Sequence, residues 1–198
     1  MYKRITEPWI GKDYQTGIND CQVLAIGESH YCKNVDQFTP KITQEIIRDL
    51  YDPNSEFEYY KNTYSKFVNA IAGEKQNFYG KEIWWNKLAF YNYIQTPMSG
   101  PRKSPKKAEY QQSEEAFWEI LEKIRPTHLI VWGYRLYNNL PQKGCGLSSI
   151  IMSDGSEIEQ WQYNLKDRTP IKVLRMKHPS SSYSTSYWHE AITKFLLQ

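Results

Sequence analysis

A chain of 198 residues with 40% hydrophobic and 24% charged content is long enough to bury a core and has the composition of an ordinary globular protein. Its net charge of +3 permits an anionic partner without arguing for one, and Cys21, Cys32 and Cys145, with no CxxC pair, argue against a disulfide scaffold or a four-cysteine cluster. The opening "MYKRITEPWIGKD" lacks the apolar centre of a signal peptide, and no run reaches the roughly 18 apolar residues of a membrane span, so a cytoplasmic protein without membrane association is expected.

The chain is read as one domain over residues 1–198, with 1–20 as an N-terminal extension whose "ITEPWIGKDY" packs on the domain or recruits a partner. "QVLAIG" (22–27) is the first buried strand and ends in a glycine, as strands do before a tight turn. "PKITQEIIRDLY" (40–51) sets Ile42, Ile46, Ile47 and Leu50 on one helical face, and "YYKNTYSKFVNAIAG" (59–73) is a helix stopped by glycine. "IWWNKLAFYNYI" (83–94) reads as a core-facing aromatic helix. "TPMSGPRKSPKKAEYQQ" (96–112) carries three prolines and four basic residues and reads as a basic, extended loop. Ser113 is the expected N-cap of the helix "SEEAFWEILEKIRP" (113–126). "HLIVWG" (128–133) is the second buried strand. "SSIIMSDGSEIEQWQY" (148–163) reads as a hairpin turning at Asp154-Gly155. "IKVLRM" (171–176) is the third strand, and "SYWHEAITKFLLQ" (186–198) closes the chain as a helix with Trp188, Ile192 and Phe195 or Leu196 inward.

Buried runs alternating with amphipathic helices predict an α/β fold, a three-layer α-β-α sandwich with a central, mainly parallel sheet. Ligands of such sheets bind beyond the carboxyl ends of the strands. Those ends are "GESHYC" (27–32), "GYRLYNN" (133–139) and "KHPSSSY" (177–183), and two of them carry histidine beside hydroxyl or carboxylate groups. The 16 tyrosines and 7 tryptophans exceed what a core of this size uses, so some are expected to line a cleft or the surface.

Four segments in order, "LAIGESHY", "LAFYNYIQ", "LIVWGYR" and "RMKHPSSSY", resemble the uracil-DNA glycosylase superfamily over roughly residues 22 to 198. That superfamily has a glycine-led loop after its first strand, a later asparagine, a strand ending near LLxWG and a closing strand followed by HPS. Arg102, Pro105 and Glu109 resemble its segment between the asparagine and the next strand. The resemblance implies a uracil-DNA glycosylase-like fold and hydrolysis of the N-glycosidic bond of uracil or a related modified base in DNA, the target being swung out of the strand into a pocket. It implies no cofactor and no metal, and single- or double-stranded DNA as the partner of a monomer. By the same resemblance His178 donates to a carbonyl oxygen of the departing base. Asn92 reads the base edge beside Gly27, and Tyr31 matches a tyrosine that excludes a thymine methyl. Ser180 and Ser182 hold flanking phosphates, and Arg102, Lys103, Lys106 and Lys107 contact the strand.

The chain departs from the family in its first loop: Ser29 stands where Asp or Asn usually positions water, and His30 replaces the usual proline. Glu28 is the nearest acid, and His30 is an alternative base. Each residue also has a structural reading. His178 can bond a loop carbonyl or cap the last helix, and Asn92 can be a turn residue. Glu28, Ser29 and His30 can cap a helix, and Tyr31 can simply pack. Two other functions stand beside the glycosylase: an inactive superfamily member that binds nucleic acid or a nucleobase without excision, and a metal-dependent hydrolase using Glu28, His30, Cys32 and His178.

Overall fold

The computed structural model describes residues 6–32, 38–98, 100, 103–166 and 168–198. In chain order its elements are β1 (Trp9–Ile10), β2 (Val23–Gly27), α1 (Ile42–Asp49), α2 (Lys61–Ala72), α3 (Phe78–Asn86), β3 (Leu88–Asn92), α4 (Lys107–Gln112) and α5 (Glu114–Ile124). They continue with β4 (His128–Trp132), α6 (Tyr134–Asn139), β5 (Gly144–Gly146), β6 (Ile150–Ile151), β7 (Glu157–Ile158), β8 (Gln160–Tyr163), β9 (Ile171–Met176) and α7 (Thr185–Leu196). No helix among the described residues is long and apolar enough to cross a membrane.

Seven strands form a mixed sheet in the order β1-β3-β2-β4-β9-β8-β5. β3, β2, β4 and β9 are parallel, while β1 at one edge and β8 at the other run against them, and β5 pairs antiparallel with β8. The parallel character expected for the sheet therefore belongs to its four central strands. Strands covered on both faces have no polar side to alternate, which is why "VLAIG" and "HLIVW" read as unbroken buried runs. Within them the period of two still operates. Ala25, Phe90, Ile130, Trp132 and Met176 face a layer containing residues of α1, α2, α3 and α7. Leu24, Ile26, Tyr91, Leu129 and Val131 face the layer of α4, α5 and α6.

Three local expectations are corrected. Residues 83–94 are not one aromatic helix: α3 ends at Asn86, Lys87 caps it, and Leu88–Asn92 become β3 in register with β2 from Val23↔Leu88 to Gly27↔Asn92. A short apolar run does not distinguish a buried strand from a buried helix, and pairing on both sides decided it. Ser113 stands at the N-cap position of α5 but makes no side-chain capping bond, because α4 runs almost directly into α5; Ser113 has helical angles and its hydroxyl donates to the Glu109 carbonyl. The basic segment 96–112 is not extended throughout, since Lys107–Gln112 coil into α4. The N-terminal segment packs on the domain: Trp9–Ile10 pair with β3, and Tyr14 is buried.

The connection leaving β2 runs through α1–α3 on one face of the sheet towards β3, whereas β4 is followed by α6 on the opposite face and then β9 on the other side. The carboxyl ends of β2 and β4 are neighbours whose chains leave in opposite directions. A crevice opens there as a consequence of topology.

Candidate active site

Beyond their last residues β2 and β3 continue side by side. Tyr93 N–H donates to Gly27 O (2.9 Å), Ile94 to Glu28 O (2.8 Å) and Met98 to His30 O (2.9 Å), while Cys32 N–H donates back to Met98 O (3.2 Å). Residues 28–32 are thereby stitched to 93–98 and hold fixed positions above the sheet.

A cleft of about 950 Å³ opens at this end. Gly27, Glu28, Ser29, His30 and Tyr31 from the loop after β2 line it, with Asn92 from the end of β3 and His178 and Ser180 from the turn after β9. The sequence places these groups up to 153 positions apart, from 27 to 180, and the fold brings them to one opening. Ser182 is exposed outside the lining, and Ser181 stands in the cleft in its place. Lys103, Lys106 and Lys107 are exposed and do not line it, and Arg102 lies outside the described residues. An aromatic wall completes the cleft: Phe90 of β3 and Trp132 of β4, the two strands that flank β2, have ring centres 4.8 Å apart, and Tyr64 of α2 meets each at 5.4 Å.

His178 stands edge-on to Trp132 at 6.2 Å. Its Nδ1 accepts the Ser180 backbone N–H (3.2 Å) and lies 2.7 Å from the Ser180 hydroxyl, while Ser181 Oγ donates to the His178 carbonyl. A nitrogen that accepts a backbone N–H carries no proton, so the neutral ring keeps its hydrogen on Nε2. Burial holds the imidazole below its ordinary pKa; the Glu28 charge opposes that shift and Arg135 adds to it. A neutral N–H donor results. Ser180 spends its backbone N–H on the ring, so it braces His178.

Asn92 is 3% exposed and His30 4%. The Asn92 side-chain amide lies 3.0 Å from His30 Nε2, which is also 2.8 Å from Thr43 Oγ1 of α1. Burial pulls the His30 pKa down to about 4, so the ring is neutral at pH 7. Asn92 also hydrogen-bonds Tyr64, and its Oδ1 lies against Gly27, where an added Cβ would come within 2.3 Å. A residue with any side chain would push the amide out of place.

Glu28 is buried, and its carboxylate is gripped from several sides. Arg135 donates from Nε (2.8 Å) and from a terminal nitrogen, and Tyr110 donates its hydroxyl at 2.5 Å. Arg135 reaches on to Ser104 Oγ (2.6 Å), so the basic segment is tied to the cleft edge through this pair. Ser29 Oγ is buried without a hydrogen-bond partner among the described residues.

The first turn of α6 and the loop after β9 bring Arg135 and Lys177 to the cleft, whereas α1 and the segment before α2 bring Glu45, Asp49 and Glu58. Charge is therefore divided across the opening, with Lys177 and the Glu28-paired Arg135 on one side and three carboxylates on the other. Tyr64, Thr43 and Tyr110 were not foreseen from the sequence, because each sits in a helix with nothing local to distinguish it. Arg135 had a weak signal, standing in the "GYR" beyond a strand end. Among the described residues no group of three or more His, Cys, Asp or Glu side chains is arranged to hold a metal ion, so Glu28, His30, Cys32 and His178 do not form one site. No family model matches this chain, and no curated protein matches it.

Proposed function

We propose that this protein hydrolyses the N-glycosidic bond of uracil or a related modified base in DNA, as a divergent relative of the uracil-DNA glycosylases. The observation that carries the reading is the meeting of Asn92 and the Nε2–H of His178 in one aromatic-walled cleft at the carboxyl ends of parallel strands. Departure of a pyrimidine leaves negative charge on the base and positive charge on the sugar. His178, a neutral donor with its tautomer set by Ser180, hydrogen-bonds the base carbonyl oxygen more strongly as that charge grows. Asn92 matches an adjacent carbonyl and N–H on the base edge. Phe90, Trp132 and Tyr64 form the buried apolar wall behind the base position, Tyr31 stands half-exposed at the mouth, and Lys177, with Arg135 paired to Glu28 beside it, is the cation at the opening for the phosphate chain.

The test is an oligonucleotide with a single uracil, incubated with the protein and then treated with hot alkali, which breaks the strand where the base is gone. His178→Ala should lower cleavage about 10²–10³-fold, the usual loss for one donor to a developing oxyanion, while DNA retention persists. Unchanged cleavage in that variant rejects the mechanism.

One observation favours a second reading, binding without excision. Glu28, the acid next to Ser29 in the first loop, has its carboxylate occupied by Arg135 and Tyr110, and Ser29 stands where water would be positioned. Salt-sensitive binding of uracil-containing DNA with no strand breakage would select that reading.

A further inference from the structure

His30 occupies the position where the resemblance leads one to expect proline, and its contacts give it a different task. We propose that His30 is a positioning residue: its unprotonated Nε2 holds the NH₂ end of the Asn92 amide, fixing which way round that amide faces the cleft and hence which base edge it accepts. This inference rests on the functional reading above and specifies how its site chooses a substrate.

An asparagine amide is nearly symmetric in shape and opposite in chemistry at its two ends. A uracil-type edge offers N–H beside a carbonyl, and a cytosine-type edge offers a bare ring nitrogen beside an amino group. The two demand opposite orders of donor and acceptor from the amide. An amide free to rotate about its last bond serves both, so discrimination requires that one end be held.

His30 Nε2 is 3.0 Å from Asn92 Nδ2. The amide nitrogen only donates, so Nε2 must accept and the ring hydrogen sits on Nδ1. Thr43 Oγ1, 2.8 Å from the same Nε2, then donates as well. Burial of both residues removes water as a competing partner, and the neutral ring at pH 7 keeps the acceptor available. The opposite end of the amide, Oδ1, is set against Gly27, where no side chain crowds it. With the amide nitrogen committed to His30 and Oδ1 set against Gly27, the donor and acceptor ends of Asn92 keep a fixed order.

The first measurement needs no variant and no activity. Nitrogen NMR of the histidine rings should show His30 as the Nδ1–H tautomer between pH 5.5 and 8, values set by the ordinary and lowered histidine range. An Nε2–H tautomer would reverse the amide and overturn the proposal. The second compares His30→Leu, which removes the acceptor, with His30→Gln, whose Oε1 restores one at similar reach. The ratio of uracil to cytosine excision, or of uracil to cytosine oligonucleotide affinity if nothing is cleaved, should fall about tenfold in His30→Leu, the loss of roughly one hydrogen bond. It should return towards the wild-type ratio in His30→Gln. An unchanged ratio in His30→Leu, or equal loss in both variants, overturns it. A wild type that neither excises nor discriminates would reject the glycosylase reading instead, and the tautomer measurement would still decide whether His30 grips Asn92.

Discussion

Gly27→Ala is the substitution whose consequence can be worked most directly from distances. The new Cβ would lie 2.3 Å from Asn92 Oδ1 and 3.1 Å from Phe90 Cζ, against roughly 3.5 Å for comfortable contact. Two responses are open. If Asn92 swings away, its bond to His30 breaks, at about 1 kcal/mol, and a buried amide loses its partner, at about 1–3 kcal/mol. If β2 and β3 separate instead, overpacking costs about 1–3 kcal/mol. The two routes overlap at a loss of about 2–3 kcal/mol, or a melting temperature lower by about 4–12 °C for a domain of this size. Urea denaturation measures it, and the slope should be unchanged because the surface exposed on unfolding is the same. Excision or base-dependent binding should drop at least about tenfold, since displacement of Asn92 loses the base edge. A Gly27→Ala protein within about 0.5 kcal/mol of wild type, with full recognition of uracil, would refute the packing of Asn92 against this glycine.

Acid should weaken the fold through two histidines. Burial lowers His30 to about 4, and burial followed by the Lys172 charge lowers His128 to about 4. Both folded values lie below the ordinary 6.5, so the unfolded chain takes up protons first. Stability is then full above pH 6.5 and is lost as pH falls from 6.5 towards 4, by about 3 kcal/mol per histidine. Urea midpoints across that window test this; His30→Gln should remove about half of the histidine-dependent slope, and an identical slope would contradict it. Arg135→Ala should destabilise by about 1–3 kcal/mol, because Glu28 loses its main partner while solvent at the half-exposed arginine softens the effect. Adding Glu28→Gln to that variant should recover part of the loss. Glu28→Gln alone should keep excision within about tenfold of wild type if Glu28 clamps Arg135; a loss of several orders of magnitude would make it the base.

The α/β class, the strands at 23–27, 128–132 and 171–176, and the helices around them were legible in the sequence. Their signals are local: apolar runs, helical spacing, and glycines such as Gly73, left-handed at the end of α2. The strand at 88–92 was not legible, because four apolar and aromatic residues in a row, Leu88 to Tyr91, suit a buried helix equally well. The candidate site divided in the same way. His178 and the loop after Gly27 could be picked out, since each follows an apolar run at which a strand ends, whereas Asn92 was picked out by the resemblance alone. What each of them does could not. The bond from Asn92 to His30 spans 62 positions, and the grip of Arg135 on Glu28 spans 107. Those partnerships turn one loop residue into an acceptor and another into half of an ion pair. Sequence determines which residues are able to form strands, helices and polar ends, because those preferences are set by near neighbours. Only the tertiary structure decides whether a buried polar group is free to act, because its partners arrive from strands and helices far along the chain.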